Sequence, residues 1–551
     1  MTNKRGRPAS ADAPPWLRPP WVSVAFFLLA FIVYAPALGA PFFSDDQHYV
    51  QANAHIQHWT LENWIAIWSP TSVVVSLVEN WAPVHLTLHA LAWKAFGSSV
   101  WGHHALGVAM HAMAASLLYA FYVQTGYRPA LGLWLAALFL VHPAGVEAVA
   151  WISQVKTTSA MVLSLTALLL HPRRPALALL AFALALLAKP AALVALPVAW
   201  VWGRVDRERA AGWGWWVGWG VVLVGFAIAE LAAFYDTAGR TASLYDGFGE
   251  QVRSHVGITA RYAVMFLTGS HVGLFHEPRA AVSLLDPWWL AGVLLTLAVI
   301  WRAATALWRR APESVYWAWV AAAFAPASGV LSLPYPMADR YLYFVLPGLL
   351  GVCGFIGLEI WGALSVKRWA AGLRRRGVGA ALGVLLVAVF AVLANRQASL
   401  WARPERLLMQ VESAYPSGQV ARLRSARRAA VAGDAAATVA ALRPAVARGF
   451  DRLDVLVSDP SYRALRGDPG FDEIVDELAT RIVDRTAAQE APSQVELRVA
   501  AQAQVVLGDF TGAEVNYRQA LERPGPHTQS IRNELEAVRL ELRLEAIRSE
   551  R

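Results

Sequence analysis

Long apolar runs separated by short polar segments constrain the fold of this chain more than any other feature. About eleven such runs lie at residues 21–38, 102–122, 131–142, 146–170, 175–188, 190–203, 213–234, 288–306, 314–333, 341–363 and 378–394. A helix needs about 20 apolar residues to cross a bilayer perpendicular to its plane, so several of these runs are short for a crossing. The pattern predicts an all-α, polytopic membrane protein with about 11 transmembrane helices within residues 21–396.

Composition and charge agree with a membrane location. Hydrophobic residues make up 56% of the chain and charged residues only 16%, whereas a soluble protein carries about 25% charged residues. The 48 Lys and Arg exceed the 39 Asp and Glu, but they fall in short clusters between apolar runs, as orientation signals do, and this argues against a nucleic-acid partner. Cys353 is the only cysteine, so an intrachain disulfide and a cysteine-based metal site are excluded.

The basic clusters also predict the orientation. Residues 1–20 are interpreted as a cytoplasmic tail ahead of an uncleaved first helix; a cleaved signal peptide is disfavoured because no small-residue cleavage site closes the first run. The basic residues of alternate connections then all face the cytoplasm: Arg128, Arg173, Arg174, Arg204, Arg207, Arg209, Arg302, Arg309, Arg310, Lys367, Arg368 and Arg374 to Arg376. We therefore expect a multi-pass inner-membrane protein with its C-terminal domain in the periplasm.

The same topology leaves two long loops outside the membrane, at residues 39–101 and 235–287. The first is rich in tryptophan, which predicts short helices lying in the headgroup layer rather than a disordered loop. In the second, the moderately apolar piece 258–275 is interpreted as interfacial or re-entrant, because a single crossing there would invert the pattern of basic residues that follows.

From residue 397 to residue 551 the composition changes, and no run is long enough to span a membrane. This part is predicted to be a soluble α-helical domain. Gly433-Asp434 and Gly508-Asp509 each separate two Ala-rich helical segments, and the segment 500–521 resembles the helix pair of a tetratricopeptide repeat (TPR). A generic helical bundle is the alternative.

Two adjacent carboxylates, Asp45 and Asp46, follow the first apolar run directly. An ionisable group at such a position is a functional-site hypothesis by default, because it is costly to keep near the membrane. Partial burial and a like-charged neighbour raise the pKa of a carboxyl group toward the range useful for a general base. The alternative is structural, since an Asp at the start of a surface helix caps it.

Four further motifs follow the acidic pair along the chain. In order, they are His142 to Ser153, Ala188-Lys189-Pro190, Leu196-Pro197 and Met337 to Tyr343, and the helical tail comes after them. This order resembles bacterial relatives of the transmembrane and TPR-containing O-mannosyltransferases, which are glycosyltransferases of the GT-C class, over roughly residues 31–401 and the tail. The resemblance implies an inverting enzyme that transfers a sugar from a polyprenyl phosphate to a hydroxyl group of a protein or envelope glycan on the outer face.

The resemblance and the residue chemistry assign roles to the matched positions. The catalytic pair is Asp45 and Asp46. A phosphate leaving group needs cations rather than an acid; the donor-phosphate residues are Lys156, Lys189 and Arg340, with Arg240 and Arg261 as further candidates. The pocket and acceptor residues are His142, Glu147, Asp339 and Tyr341. No cofactor is expected beyond the lipid-linked sugar, and no metal site, although a divalent metal is left open. The partners are membrane lipid and an acceptor bound through the TPR-like domain.

A purely structural role is the alternative for several of these residues. His142 and Glu147 suit a turn between two helices, Lys189 suits a helix start with a snorkelling side chain, and Asp339 with Arg340 suits a salt bridge. The pair His85 and His89 has the i, i+4 spacing of two metal ligands, but the sequence offers no third ligand.

The chain also departs from the family pattern. After Ser153 the relatives carry an acidic, a basic and an acidic residue, whereas 154–157 keeps only the lysine, and Ala82-Pro83 stands where Arg-Pro is usual. These departures favour a second hypothesis, a non-catalytic membrane scaffold whose tail recruits partners. A lipid or glycan transporter ranks last, because the runs are mostly Ala, Leu and Val at the depth where a transported ligand binds.

Overall fold

The computed structural model describes residues 14–171, 173–233, 245, 247–329, 335–365, 377–523, 525 and 527–549. Throughout these residues the secondary structure is helical, apart from one isolated antiparallel bridge between His276 and Met337. The prediction of an all-α fold is confirmed. Most of the predicted tail 1–20, part of the second external loop with Arg240, and the basic group from Lys367 to Arg376 lie outside the described residues.

The described residues of the N-terminal and central parts form seventeen α-helices. They are α1 (Pro19–Tyr34), α2 (Ala54–Gln57), α3 (Leu61–Trp68), α4 (Val73–Val78), α5 (Pro83–Phe96), α6 (Val100–Gln124), α7 (Pro129–Val141), α8 (Val146–Ala150), α9 (Val155–Leu170), α10 (Pro175–Ala188), α11 (Ala195–Val205), α12 (Trp213–Ala233), α13 (Phe248–Thr268), α14 (Pro287–Trp308), α15 (Ser314–Phe324), α16 (Asp339–Ser365) and α17 (Val378–Trp401).

The C-terminal part continues with α18 (Pro404–Ala414), α19 (Gln419–Val431), α20 (Ala435–Val446), α21 (Leu453–Ser458), α22 (Pro469–Ala487), α23 (Gln494–Val506), α24 (Phe510–Glu522) and α25 (Thr528–Ser549). Short 3-10 turns at Pro143–Gly145 and Ile152–Gln154 flank α8, and a π-helical turn at Gln47–Gln51 follows the acidic pair.

Seven helices in the described residues are long and apolar enough to cross a membrane: Pro19–Ala37, Val100–Gln124, Ile152–Leu170, Trp213–Ala233, Pro287–Trp308, Asp339–Ala363 and Val378–Trp401. The pair Pro129–Val141 and Pro143–Ala150, bent by 54°, makes an eighth if it is one broken span. The chain is therefore a multi-pass membrane protein. The apolar helices Pro175–Ala188 and Pro190–Val205 are shorter, with fewer residues than a perpendicular crossing needs.

The chain divides into two compact units. The first comprises Met1–Trp68, Trp81–Glu230 and Tyr245–Gln410. The second comprises Ser69–Asn80, Leu231–Leu244 and Val411–Arg551. The predicted catalytic pair, the three donor-phosphate residues Lys156, Lys189 and Arg340, and the predicted pocket residues all belong to the first unit.

Helices α2, α3 and α5 of the first unit lie within the loop predicted at residues 39–101. The expectation of short helices there is confirmed. The expected depth of these helices in the headgroup layer remains a prediction. Helix α3 exposes Leu61 and Ile65, as a helix lying on a lipid surface does.

The second unit is built around two apolar clusters. One includes Leu442, Phe471 and Leu478, and the other includes Tyr517 and Ile531. These buried faces hold successive helices against one another, since burial of apolar area is the main favourable contribution to folding.

The Gly-Asp pairs of the second unit end one helix and begin the next. Gly433 and Gly508 have φ of +75° and +77°, a left-handed conformation that glycine adopts without strain. Asp434 and Asp509 then accept backbone hydrogen bonds from the first turns of α20 and α24 at 2.8 and 2.9 Å. The predicted helix pair is therefore observed as α23 and α24.

Candidate active site

The acidic step formed by Phe43 to Asp46 is fixed by its own backbone and by the turn before α9. Ser44 has a φ of 51°, a conformation that is uncommon for a residue other than glycine. Asp46 Oδ2 accepts a hydrogen bond from the Phe43 N–H at 3.0 Å, and Asp46 Oδ1 accepts one from the Ser153 N–H at 2.8 Å. Asp46 is 1% exposed, so it joins two segments that are far apart in sequence.

The two aspartates occupy different environments. Burial raises the pKa of Asp46 to about 7; the hydrogen bonds from Phe43 and Ser153 act in the opposite direction, and the charge of Asp45 raises it. Asp45 is only half-buried, and its Oδ1 accepts a hydrogen bond from the Ser44 hydroxyl at 3.2 Å. Asp45 is thus the carboxylate better able to reach a ligand, while Asp46 fixes the loop.

His142 begins the break between α7 and α8. Its Nδ1 accepts the Ala144 N–H at 3.2 Å, so its Nε2 carries the proton and donates to the Phe266 carbonyl at 3.0 Å. The ring also stacks on Phe266 with an interplanar angle of 8°. Both ring nitrogens are engaged inside the protein, so His142 holds the broken helix against α13 and does not itself present a free nitrogen to a substrate.

Glu147 and Arg340 form a buried ion pair. Glu147 Oε2 accepts the Arg340 backbone N–H at 2.7 Å, and Glu147 Oε1 pairs with the guanidinium group. The guanidinium carbon lies 5.7 Å from the ring centre of Trp151, 5.3 Å from that of Tyr335 and 5.2 Å from that of Tyr341. These contacts hold the cation in a defined position among aromatic faces.

Asp339 precedes Arg340 and is held from the other side. Its Oδ1 lies 2.7 Å from His276 Nε2, and its Oδ2 accepts the Gly273 N–H at 2.8 Å. Sequence reasoning missed His276, because no spacing or periodicity links it to α16. The pair fixes the segment after α13 to the start of α16, next to Arg340.

Lys156 lies in the first turn of α9, and Lys189 follows the end of α10. Lys156 Nζ donates to the Tyr49 hydroxyl at 3.3 Å. Lys189 Nζ donates to Thr157 Oγ1 at 2.7 Å. Burial lowers the pKa of Lys189 to about 7, and the positive charges of Lys156 and Arg340 act in the same direction. The charges of Lys156 and Arg340 therefore act on Lys189. Neighbouring positive charges of this kind favour the binding of an anion.

An aromatic group connects the acidic step to α8 and α17. Trp151 Nε1 donates to the Phe43 carbonyl at 3.2 Å. The ring centres of Trp151 and Trp401 are 5.8 Å apart, and that of Phe43 lies 6.4 and 6.2 Å from them respectively. Trp401 was not predicted as part of the site, since it lies beyond the last apolar run, 378–394, at the end of α17.

A buried histidine pair lies behind Tyr49. His85 Nε2 and His89 Nε2 are 2.8 Å apart, and the His85 ring centre is 4.8 Å from that of Tyr49. Burial lowers the pKa of His89 to about 3 and that of His85 well below its ordinary value. Among the described residues no group of three or more His, Cys, Asp or Glu side chains is arranged to hold a metal ion.

The arrangement brings Asp45, Asp46, Lys156, Lys189 and Arg340 into one region of the first unit. Arg261 is engaged elsewhere, with its guanidinium carbon 4.3 Å from the ring centre of Trp288. Carboxylates beside converging cations suit a reaction in which a hydroxyl group loses a proton and a phosphate departs. No family model, curated protein or solved structure matches the chain.

Proposed function

We propose that this chain is an inverting glycosyltransferase of the GT-C class. It takes a sugar linked to a polyprenyl phosphate and transfers it to a hydroxyl group of a protein or envelope glycan on the outer face of the membrane. The observation that supports this most is that the charges of Lys156 and Arg340 act on Lys189, while Lys156 bonds to Tyr49 shortly after the Asp45–Asp46 step. A transferase of this kind needs a base and an anion site together.

The reaction proceeds in one displacement. The acceptor oxygen attacks the anomeric carbon, the bond from that carbon to the phosphate oxygen breaks, and the acceptor proton passes to Asp45. Asp45 is assigned as the base because it is half-buried and has one local hydrogen bond. Asp46 is a positioning residue, since both of its oxygens accept backbone hydrogen bonds.

The three cations bind the donor phosphate and stabilise the charge on the leaving group. Phosphate oxygens accept strong hydrogen bonds from lysine and arginine. A bound phosphate favours the charged form of Lys189, whose pKa is lowered by burial and by the charges of Lys156 and Arg340. Glu147 holds the Arg340 backbone and guanidinium, and it thereby aims this cation.

The finer architecture belongs to the same proposal. About eleven crossings result if the short helices α10 and α11 and the α15 segment each traverse the membrane, as local thinning of the bilayer around short helices permits. The N-terminus is then cytoplasmic and the second unit periplasmic. The second unit is proposed to be TPR-like and to bind the acceptor, on the basis of its Gly-Asp turns and helix pairs.

The test replaces each carboxylate separately in a strain where a periplasmic glycan product is detected. Asp45→Asn is expected to abolish the product, and Asp46→Asn to reduce it strongly. Asp454→Asn, which changes an exposed carboxylate of the second unit, serves as the control and is expected to leave the product unchanged. Normal product from both site variants, with expression equal to wild type, overturns the proposal.

A non-catalytic scaffold is the second candidate. It is favoured by the segment 154–157, which keeps the lysine but lacks the two acidic residues that the resembled family carries there. In their absence the Thr157 hydroxyl donates to Gln154 Oε1 at 2.7 Å. The same experiment separates the two functions. A scaffold keeps its partners and its cellular phenotype when Asp45 is replaced.

A further inference from the structure

Helix α13 packs against the first turns of α14, the membrane-crossing helix that begins at Pro287. Helix α14 has 22 residues and therefore measures about 33 Å, so both of its ends lie near the membrane surface. Gly292 of α14 has no space for a side chain, because a Cβ there would overlap the Val256 carbonyl oxygen. A Cβ at Gly257 would lie 3.4 Å from the Trp288 backbone. The middle of α13 therefore lies at the depth of the lipid headgroups.

The end of the connection between α13 and α14 folds back onto α13. Arg253 Nε donates to the Ala281 carbonyl at 2.8 Å, and the Ala281 N–H donates to Ser254 Oγ at 2.9 Å. Three apolar residues between this contact and α14 have exposed fractions of 71%, 65% and 81%, in the order Val282, Leu284 and Leu285. Because they stand beside the start of a membrane span, lipid is what covers these side chains.

Two arginines lie at a small recess in the same surface. Arg261, Arg279 and Trp288 all line it. The guanidinium carbon of Arg261 lies over the ring of Trp288, 4.3 Å from its centre, and such a contact uses the flat face of the guanidinium group rather than its N–H edge. Arg279 is exposed, and within the described part of the chain it makes no hydrogen bond or ion pair. The recess thus combines one cation held on an aromatic face with one that is accessible.

The charges around the recess favour an anion. Among the described residues that line it, Asp286 has the only carboxylate. Its Oδ1 accepts the N–H groups of Trp288 and Trp289 at 2.8 and 3.1 Å, as the cap of α14. The recess has a volume of about 10 Å³, which is room for one water molecule. An anion therefore binds at its mouth, where Arg279 is exposed.

We propose that Arg261 and Arg279 bind the phosphate group of an anionic phospholipid in the leaflet where α14 begins. The planar guanidinium group suits phosphate because it donates two parallel hydrogen bonds to it. Val282, Leu284 and Leu285 then lie among the acyl chains. The inference goes beyond the proposed transfer and is independent of it, because that reaction assigns no part to either arginine.

Native mass spectrometry of the full chain in detergent tests the proposal. The probes are phosphatidylglycerol and phosphatidylcholine with identical acyl chains, and the measured quantity is the ratio of their dissociation constants. The wild type is expected to bind phosphatidylglycerol about tenfold more tightly. Arg261→Gln and Arg279→Gln are each expected to reduce this preference to about twofold. Arg532→Gln removes the same charge from an exposed position on α25 and is expected to leave the preference unchanged.

Two further variants separate the headgroup from the acyl chains. Arg279→Lys keeps the positive charge and is expected to keep most of the preference. Leu284→Ser combined with Leu285→Ser removes apolar contact and is expected to weaken binding of both lipids by the same factor, so that the ratio stays at the wild-type value. The three positions are exposed, so these variants remain informative if Arg261→Gln does not fold.

Equal affinity of the wild type for the two phospholipids overturns the proposal, and so does a wild-type preference in Arg279→Gln. Displacement of phosphatidylglycerol by polyprenyl phosphate at a lower concentration than phosphatidylglycerol itself requires also overturns it, in favour of a donor site. Displacement by glycerol phosphate at the concentration of the lipid overturns it in favour of a soluble phosphate. Asp45→Asn is expected to bind phosphatidylglycerol like wild type, so loss of glycan transfer and loss of lipid binding are distinguished.

Discussion

Glu147 and Arg340 are joined at two points, through the Arg340 backbone N–H at 2.7 Å and through the guanidinium group, although they are far apart in sequence. The carboxylate side chain is 2% exposed and the guanidinium side chain 12% exposed. Removing one member of a buried pair leaves the other charge without compensation, and this costs more than the pair contributes in total.

Glu147→Gln is therefore expected to lower the free energy of unfolding by about 3 kcal/mol or more. Thermal melting of the purified protein in detergent measures the effect as a lower midpoint. Glu359→Gln is the matched control, since Glu359 pairs with Arg302 but is 62% exposed; its cost is expected to be at most about 1 kcal/mol. Equal midpoints for the two variants would contradict the prediction.

The three cations give a prediction about donor binding. Lys156→Gln and Lys189→Gln are each expected to raise the KM for the lipid-linked donor about tenfold, because each removes a charge-assisted contact to phosphate. Lys94→Gln is the control, because Lys94 lies in α5 with its Nζ 4.0 Å from the ring centre of Trp59. Binding of polyprenyl phosphate to the protein in nanodiscs provides a readout that does not depend on turnover. The prediction fails if Lys94→Gln weakens binding as much as the other two.

The raised pKa of Asp46 predicts the pH dependence of transfer. As pH rises through about 7, Asp46 ionises, and the ionised carboxylate accepts the Phe43 and Ser153 N–H groups more strongly, which holds the loop that carries Asp45. The rate is expected to increase across this range, as initial rates measured between about pH 5 and 9 would show. Asp46→Asn is expected to have a lower rate and to lack the inflection. An unchanged profile in that variant assigns the inflection to another group.

The buried histidine pair predicts acid sensitivity. The folded protein keeps His89 neutral with a pKa of about 3, whereas the ordinary value is 6.5. The unfolded chain therefore binds more protons, and stability decreases as pH falls from 6.5 toward 3. His85→Leu combined with His89→Leu is expected to reduce this loss while leaving the midpoint near neutral pH almost unchanged. The exposed-site change His58→Gln should keep the wild-type acid sensitivity, and melting midpoints across this pH range make the comparison.

A helix cap provides a prediction for the second unit. Asp468 accepts the Gly470 and Phe471 N–H groups at 3.1 and 3.0 Å at the start of α22. Asp468→Ala is expected to cost about 1 kcal/mol of stability. Asp476→Ala, at an exposed position within the same helix, is the control and should cost less. Denaturant unfolding followed by circular dichroism measures both.

Sequence reasoning predicted the helical membrane architecture well, because the apolar runs of α1, α6 and α17 carry a strong and local signal. It was less able to resolve α10 and α11, whose length alone does not decide whether they cross. The helix pair around Gly508 was also predictable, since a glycine followed by a capping Asp is a local signal.

The candidate site was predictable only in part. Motif order suggested Lys189 and Arg340, but it gave no reason for His276 or Trp401 to lie beside them, because contacts between distant loops leave no periodic pattern. Nor does sequence distinguish Asp45 from Asp46. The difference between them is one of burial, and burial depends on how the turn at Ser153 packs against the loop.

The partners of Asp46 have a consequence for how this site tolerates change. Both hydrogen bonds to its carboxylate come from main-chain N–H groups, those of Phe43 and Ser153. Every residue except proline supplies such a group. The two bonds therefore do not depend on which side chains stand at these positions, although the Phe43 ring packs on Trp151 and Trp401 and Ser153 is buried. Asp46 itself has no substitute that accepts both bonds with the same short reach.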